Sequence, residues 1–114
     1  MLFGLSGIRS LPRTEEARVF GRQVLRSGTS VAANYRAVCR ARSRAEFIAK
    51  IGTLVEEADE TVFWLKLLVE NNLASKDLID GLLKEANELL AIFAGSQRTA
   101  KIVNDSMKNR SMKN

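Results

Sequence analysis

Five arginines, Arg18, Arg22, Arg26, Arg36 and Arg40, recur at spacings of 4, 4, 10 and 4. On an α-helix, which turns about 100° per residue, all five fall in a sector roughly 80° wide. Val24, Val31 and Val38, spaced by sevens, fall on the far side. A guanidinium is a fixed cation whose planar fork pairs bidentately with phosphate or carboxylate. The chemistry supported by this spacing is recognition of a polyanion or an acidic protein surface. It is not catalysis.

Three readings of the stripe stay open: nucleic-acid or phosphate binding, pairing between subunits, and a plain solvated face. A merely solvated helix mixes signs to gain i, i+4 pairs, whereas here Thr29 and Ala33 occupy the middle of the stripe instead of acids. Arg44 adds a sixth candidate contact just past the end of the helix. No module that stacks bases on aromatic side chains is present, so binding would be electrostatic, salt-sensitive and weakly selective for sequence.

Other chemistry finds little support. The chain has no histidine, which removes the commonest metal ligand and the commonest general base. Cys39 is the single cysteine. It cannot form an internal disulfide, reads as a packed residue, and fits a reducing, cytoplasmic setting. Glycine-rich phosphate loops, Ser/His/Asp sets and Cys/His ligand spacings do not occur. The expectation is a protein that is not an enzyme and takes no cofactor and no metal. Glu56, Glu57, Asp59 and Glu60 form an acidic cluster, but carboxylate metal sites in bundles add Glu-x-x-His motifs. These acids are expected to face arginines of a neighbouring helix or subunit, or water. Phe63 and Trp64 are adjacent, about 100° apart on a helix. One of them is therefore expected at a subunit contact, with Tyr35, Glu56 and Glu60 as further candidates.

What positions these residues is a single domain of 114 residues. Hydrophobic content is 46% and charged content 27%, the balance of a folded protein. One proline, few aromatics and abundant Ala, Leu, Glu, Lys and Arg favour helix. No apolar run approaches the roughly 20 residues a bilayer requires, so no membrane partner is expected. The formal charge of +5 conceals a segregation. Residues 1–50 hold 10 Lys and Arg against 3 acids, residues 51–97 hold 3 against 9, and residues 98–114 hold 5 against 1. Such blocks suit pairing between copies or display of one sign on one surface.

Residues 1–10 read as a short stub weakened by Gly4 and Gly7. Thr14 caps a helix over about 14–42, continuous through Gly28 because Val24 and Val31 stay in phase across it. Ser43 with Glu46 forms a capping box for a helix over about 44–71, carried by Phe47, Ile51, Leu54, Ala58, Val62, Leu65 and Val69. Ser75 caps a last helix over about 75–95 or beyond. The domain is placed at 1–103, and the repeat SMKN-R-SMKN puts a disordered basic tail at 104–114.

The run LPRTEEARVFGRQVLRSGTSVAANYRAVCRARSRAEFIAKI, with EEADETVFWLKLL after it, resembles the four-helix-bundle family encoded in intervening sequences of 23S ribosomal RNA genes. The most specific parts are Arg26–Arg36, Ala45–Ile48 and Glu56–Thr61. The resemblance implies an all-α, antiparallel, up-and-down four-helix bundle that assembles as a homopentamer. It is also similar to the accessory variability determinant of diversity-generating retroelements. That similarity implies a basic surface for RNA or DNA and a reverse transcriptase, or another protein, as partner. The family's first helix normally runs for several turns before the segment matching Leu11-Pro12. Here about ten residues precede it, so the expectation is a shortened or missing first helix, from a truncated copy or a misplaced start.

Overall fold

A computed structural model describes Ile8 and residues 11–112. Its secondary structure is helical: α1 spans Glu15–Cys39, α2 spans Arg44–Glu70 and α3 spans Lys76–Met112. The all-α class and three antiparallel helices follow the sequence reading. The described residues form three helices, not the four of the resemblance, and the stub lies largely outside them.

Each helix start follows from a side chain that can accept a hydrogen bond from an orphan amide. The Ala17 amide donates to Thr14 Oγ1 at 3.2 Å, the Glu46 amide to Ser43 Oγ at 3.0 Å and the Leu78 amide to Ser75 Oγ at 3.3 Å. The Glu46 carboxylate reaches back to the Arg42 amide at 3.4 Å, one residue earlier than the usual capping box. α2 ends in a Schellman turn. Asn72 takes φ 55°, the Asn72 amide donates to Val69 O, and the Leu73 amide donates to Leu68 O. Asparagine tolerates this left-handed conformation better than most residues.

α2 is the middle helix, packed along both α1 and α3, while α1 and α3 make no comparable contact with each other. Two apolar clusters result. The lower one gathers Val24 of α1, Val62, Leu65 and Leu68 of α2, and Ile79 and Leu82 of α3, with Ile8 of the stub against it. The upper one gathers Val31, Ile51, Leu54, Ala58 and Phe93. Between them, at the α1–α2 contact, lie two buried hydroxyls, Ser27 and Thr61. Small side chains there let the two helices approach closely. The α1 helix is continuous through Gly28, as its valine phase predicts.

Two boundaries differ from the sequence reading. Regular helix in α1 stops at Cys39, with Arg40 as its C-cap, and Cys39 is exposed instead of packed. The larger difference is α3, which extends to Met112 over 37 residues, where the sequence reading carried it to 95 or beyond and made 104–114 a disordered tail. After Gly95 the segment contains neither glycine nor proline, and Gln, Arg, Lys, Ala and Met carry the helix on by propensity. Its outer part buries little: Ile102 is 66% exposed and Met107 48%. At 1.5 Å per residue α3 is about 55 Å long, which accounts for an extent of 63 Å against 21 Å across. No helix among the described residues is long and apolar enough to cross a membrane.

Candidate nucleic-acid interface on the arginine face of α1

Burial of Val24 and Val31 against α2 and α3 orients α1, and the opposite face turns to solvent. Arg18, Arg22, Arg26, Arg36 and Arg40 are all exposed. Their environments differ. Arg18 Nη2 lies 3.5 Å from Glu15 Oε2, an i, i+3 pair with both groups in water, which contributes little. Arg22, Arg36 and Arg40 have no carboxylate within ion-pair distance among the described residues.

Arg26 is engaged inside the chain. Its Nε donates to Gln23 Oε1 at 3.0 Å, Nη1 to Glu57 Oε2 at 3.5 Å, and Nη2 to Glu60 Oε1. The same Glu60 oxygen accepts from the Trp64 indole N–H at 3.2 Å. The hydrogen bond from Arg26, and after it that from Trp64, holds the Glu60 carboxyl below the ordinary glutamate value. In return, the bond to Glu60 holds the Arg26 guanidinium more firmly protonated.

The stripe is therefore divided in two. Arg18 and Arg22 form one basic patch on the first half of α1. Arg36 and Arg40 form another near its end, joined across the turn by the exposed Arg42 and by Arg44 at the start of α2. Arg44 Nη1 touches Met107 Sδ of α3. The tail of α3, with Lys108 beside Met107, runs past this end of the bundle. Arg22 and Arg36 are 14 residues apart, about 21 Å along the helix, or roughly six base-pair steps of a duplex.

The residues expected at subunit contacts are not gathered in one place. Glu60 has its partner, Arg26, in its own chain. Glu56 is exposed and lacks an ion-pair partner among the described residues. Phe63 is 53% exposed, whereas Trp64 is half-buried, stacked at a tilt on Phe20 with centroids 5.9 Å apart and edge-on to Phe63 at 5.1 Å. Tyr35 is 46% exposed, its ring centroid 6.2 Å from that of Phe93.

Sequence reasoning missed Arg42, which falls outside any helical phase, and missed that the basic tail continues α3 as helix. Alternation of Lys and Arg with helix formers after Gly95 was the available signal for that tail. The pairing of Arg26 with Glu57 and Glu60 spans more than 30 residues, and charge segregation alone named only the class of partner.

The family model described as 23S rRNA-intervening sequence protein matches residues 6–95. No curated protein matches the chain. Among solved structures, one of a protein of unknown function from the S23 ribosomal protein family of Bacteroides thetaiotaomicron VPI-5482 is 34% identical. The match covers 69% of this chain and 73% of that one, with a TM-score of 0.66.

Proposed function

This chain belongs to the 23S rRNA-intervening sequence protein family, and from that premise and the charge layout of α1 we propose that it binds nucleic acid, RNA foremost, without catalysis. Arg22, Arg36 and Arg40 are the principal contacts in this reading, with Arg18 and Arg44 at the margins. Arg26 is not a contact, because its guanidinium is already hydrogen-bonded to two carboxylates. The observation that carries the reading is that three arginines on one face of α1 are exposed and without carboxylate partners among the described residues. Uncompensated cations on a rigid helix attract phosphate with little ordering cost in the backbone, and the affinity comes mainly from release of counterions.

Such binding has a measurable signature. Fluorescence anisotropy with a labelled RNA oligonucleotide, repeated from low to high salt, would show log affinity falling linearly with log salt. Three to five phosphate contacts give a slope of roughly −2 to −4.5. Sequence changes in the RNA would alter affinity far less than salt does. Affinity that ignores salt, or no affinity at low salt, would reject the proposal.

A further inference from the structure

A groove of about 690 Å³ opens where the α1–α2 turn meets the outer part of α3. Val38, Ala41, Phe47, Ala100 and Val103 supply its apolar surface, and Arg42 and Arg44 stand among its walls. No acidic side chain lines it. Phe47 is half-buried, and with Ala100 it also lines a second opening back along α3. Ala100 and Val103 lie beyond residues 6–95, so the extension of α3 past the family match completes the groove.

The cations at its mouth continue those of α1. Arg40, Arg42 and Arg44 are exposed and alternate through the turn, each within about 7 Å of chain from the next. None has a carboxylate within ion-pair distance among the described residues. A protein segment would need a carboxylate for each of them, whereas a nucleic-acid strand brings a charge with every nucleotide. A duplex keeps its bases stacked inside and offers the groove only phosphate, from which an apolar floor gains nothing. An unpaired base instead presents a broad apolar face that stacks on aromatic side chains and guanidinium planes.

We propose that this groove takes unpaired bases of a bound RNA, with Arg40, Arg42 and Arg44 on the adjoining phosphates. The assignment rests on the nucleic-acid reading of α1 and adds a substrate class to it. RNA with a bulge, a loop or a free end is bound in preference to a perfect duplex. Phe47 supplies the stacking surface, with Val38, Ala100 and Val103 around it. Besides the arginines, only Ser43 and Cys39 bring polar side-chain atoms to the lining. Selection is therefore for an unpaired base and not for one sequence.

The test measures fluorescence anisotropy at one low salt concentration with three labelled RNA hairpins of the same stem. One carries a two-adenosine bulge, one has both bulge bases removed to leave sugar and phosphate, and one is perfectly paired. The first two carry equal charge, so counterion release cancels between them. The full chain is expected to bind the bulged hairpin on the order of tenfold more tightly than its abasic counterpart. Ala100→Trp fills the groove, and Val103→Ser removes an exposed part of its apolar wall. Each should bring the bulged and abasic hairpins close to equal affinity, with helicity by circular dichroism verifying that the variant folds. Equal affinity of the parent for those two hairpins would overturn the proposal while leaving the nucleic-acid reading in place. The groove would then fall to an acidic, apolar protein segment. A preference that survives both substitutions would also overturn it, placing the base elsewhere. Failure to bind any of the three hairpins would reject the nucleic-acid reading itself, and the proposal with it.

Discussion

Thr61 Oγ1 of α2 lies 2.9 Å from Ser27 Oγ of α1, with both residues buried at the point where the two apolar clusters part. Each hydroxyl has one proton to give. Ser27 donates to the Gln23 carbonyl at 2.9 Å, which leaves its oxygen free to accept from Thr61. Thr61 can instead donate to the Glu57 carbonyl, also at 2.9 Å. Neither hydroxyl is stranded if the other is removed. Ser27→Ala and Thr61→Val are therefore each expected to cost only about 1 kcal/mol in urea denaturation at fixed protein concentration. Ser27→Leu is expected to cost at least 2–3 kcal/mol, because it forces apart helices that small residues let approach. A tolerant Ser27→Leu would show that the contact is looser than described.

Arg26 and Glu60 provide a pH-dependent reporter. The carboxyl of Glu60 is held below the ordinary value of 4.5 by the Arg26 and Trp64 hydrogen bonds. A carboxyl depressed in the folded state stabilises the fold above its unfolded pKa, and that stabilisation is lost as pH falls through the folded pKa. The stability difference between the parent and Glu60→Gln should accordingly shrink below pH 4.5. Trp64 is the single tryptophan, and its indole bonds the titrating oxygen. Its emission should change with a midpoint below 4.5, which Arg26→Ala moves upward and Glu60→Gln abolishes. An unmoved midpoint in Arg26→Ala would count against the pairing.

Asn72 tests the turn between α2 and α3. Its φ of 55° is left-handed, a region glycine adopts freely and β-branched residues avoid. Asn72→Gly should be neutral or slightly stabilising, and Asn72→Val should lower stability by about 1–2 kcal/mol. Equal stability of the two variants, by thermal denaturation, would contradict the Schellman turn.

Gly81 and Gly21 should respond differently to alanine. Nothing lies within 4 Å of a Cβ added at Gly81, in the exposed face of α3, so Gly81→Ala should gain about 0.5–1 kcal/mol of helix propensity. At Gly21 the added carbon would come within 2.9 Å of Leu11 Cδ1 and 3.2 Å of Ile8 Cγ2. The same propensity gain is there offset by displacement of the segment before α1. Denaturation midpoints that rise equally for both variants would contradict that packing.

Most of this fold was legible because its signals are local. Thr14, Ser43 and Ser75 mark the three helix starts as amide acceptors, and the valines of α1 at intervals of seven locate its buried face. The end of α3 was not legible: helical propensity is weak per residue, and the SMKN repeat lacks an apolar period. The candidate interface was legible only as a set of arginines. Their phase put them on one face, but removal of Arg26 from that set depends on Glu57 and Glu60, brought alongside by the antiparallel return of α2. The groove at the α1–α2 turn needed Ala100 and Val103 to come level with Val38, a relation across more than 60 residues.

In the proposed function, α1 presents phosphate-binding arginines of which Arg26 is not one. The most direct test compares RNA affinity across a salt series for the parent, Arg22→Ala with Arg36→Ala, and Arg26→Ala. The double variant should bind on the order of tenfold more weakly at low salt, with its salt slope reduced by about 2, while Arg26→Ala keeps the parent slope. A double variant that binds like the parent, or an Arg26→Ala that loses as much as the double variant, would contradict it.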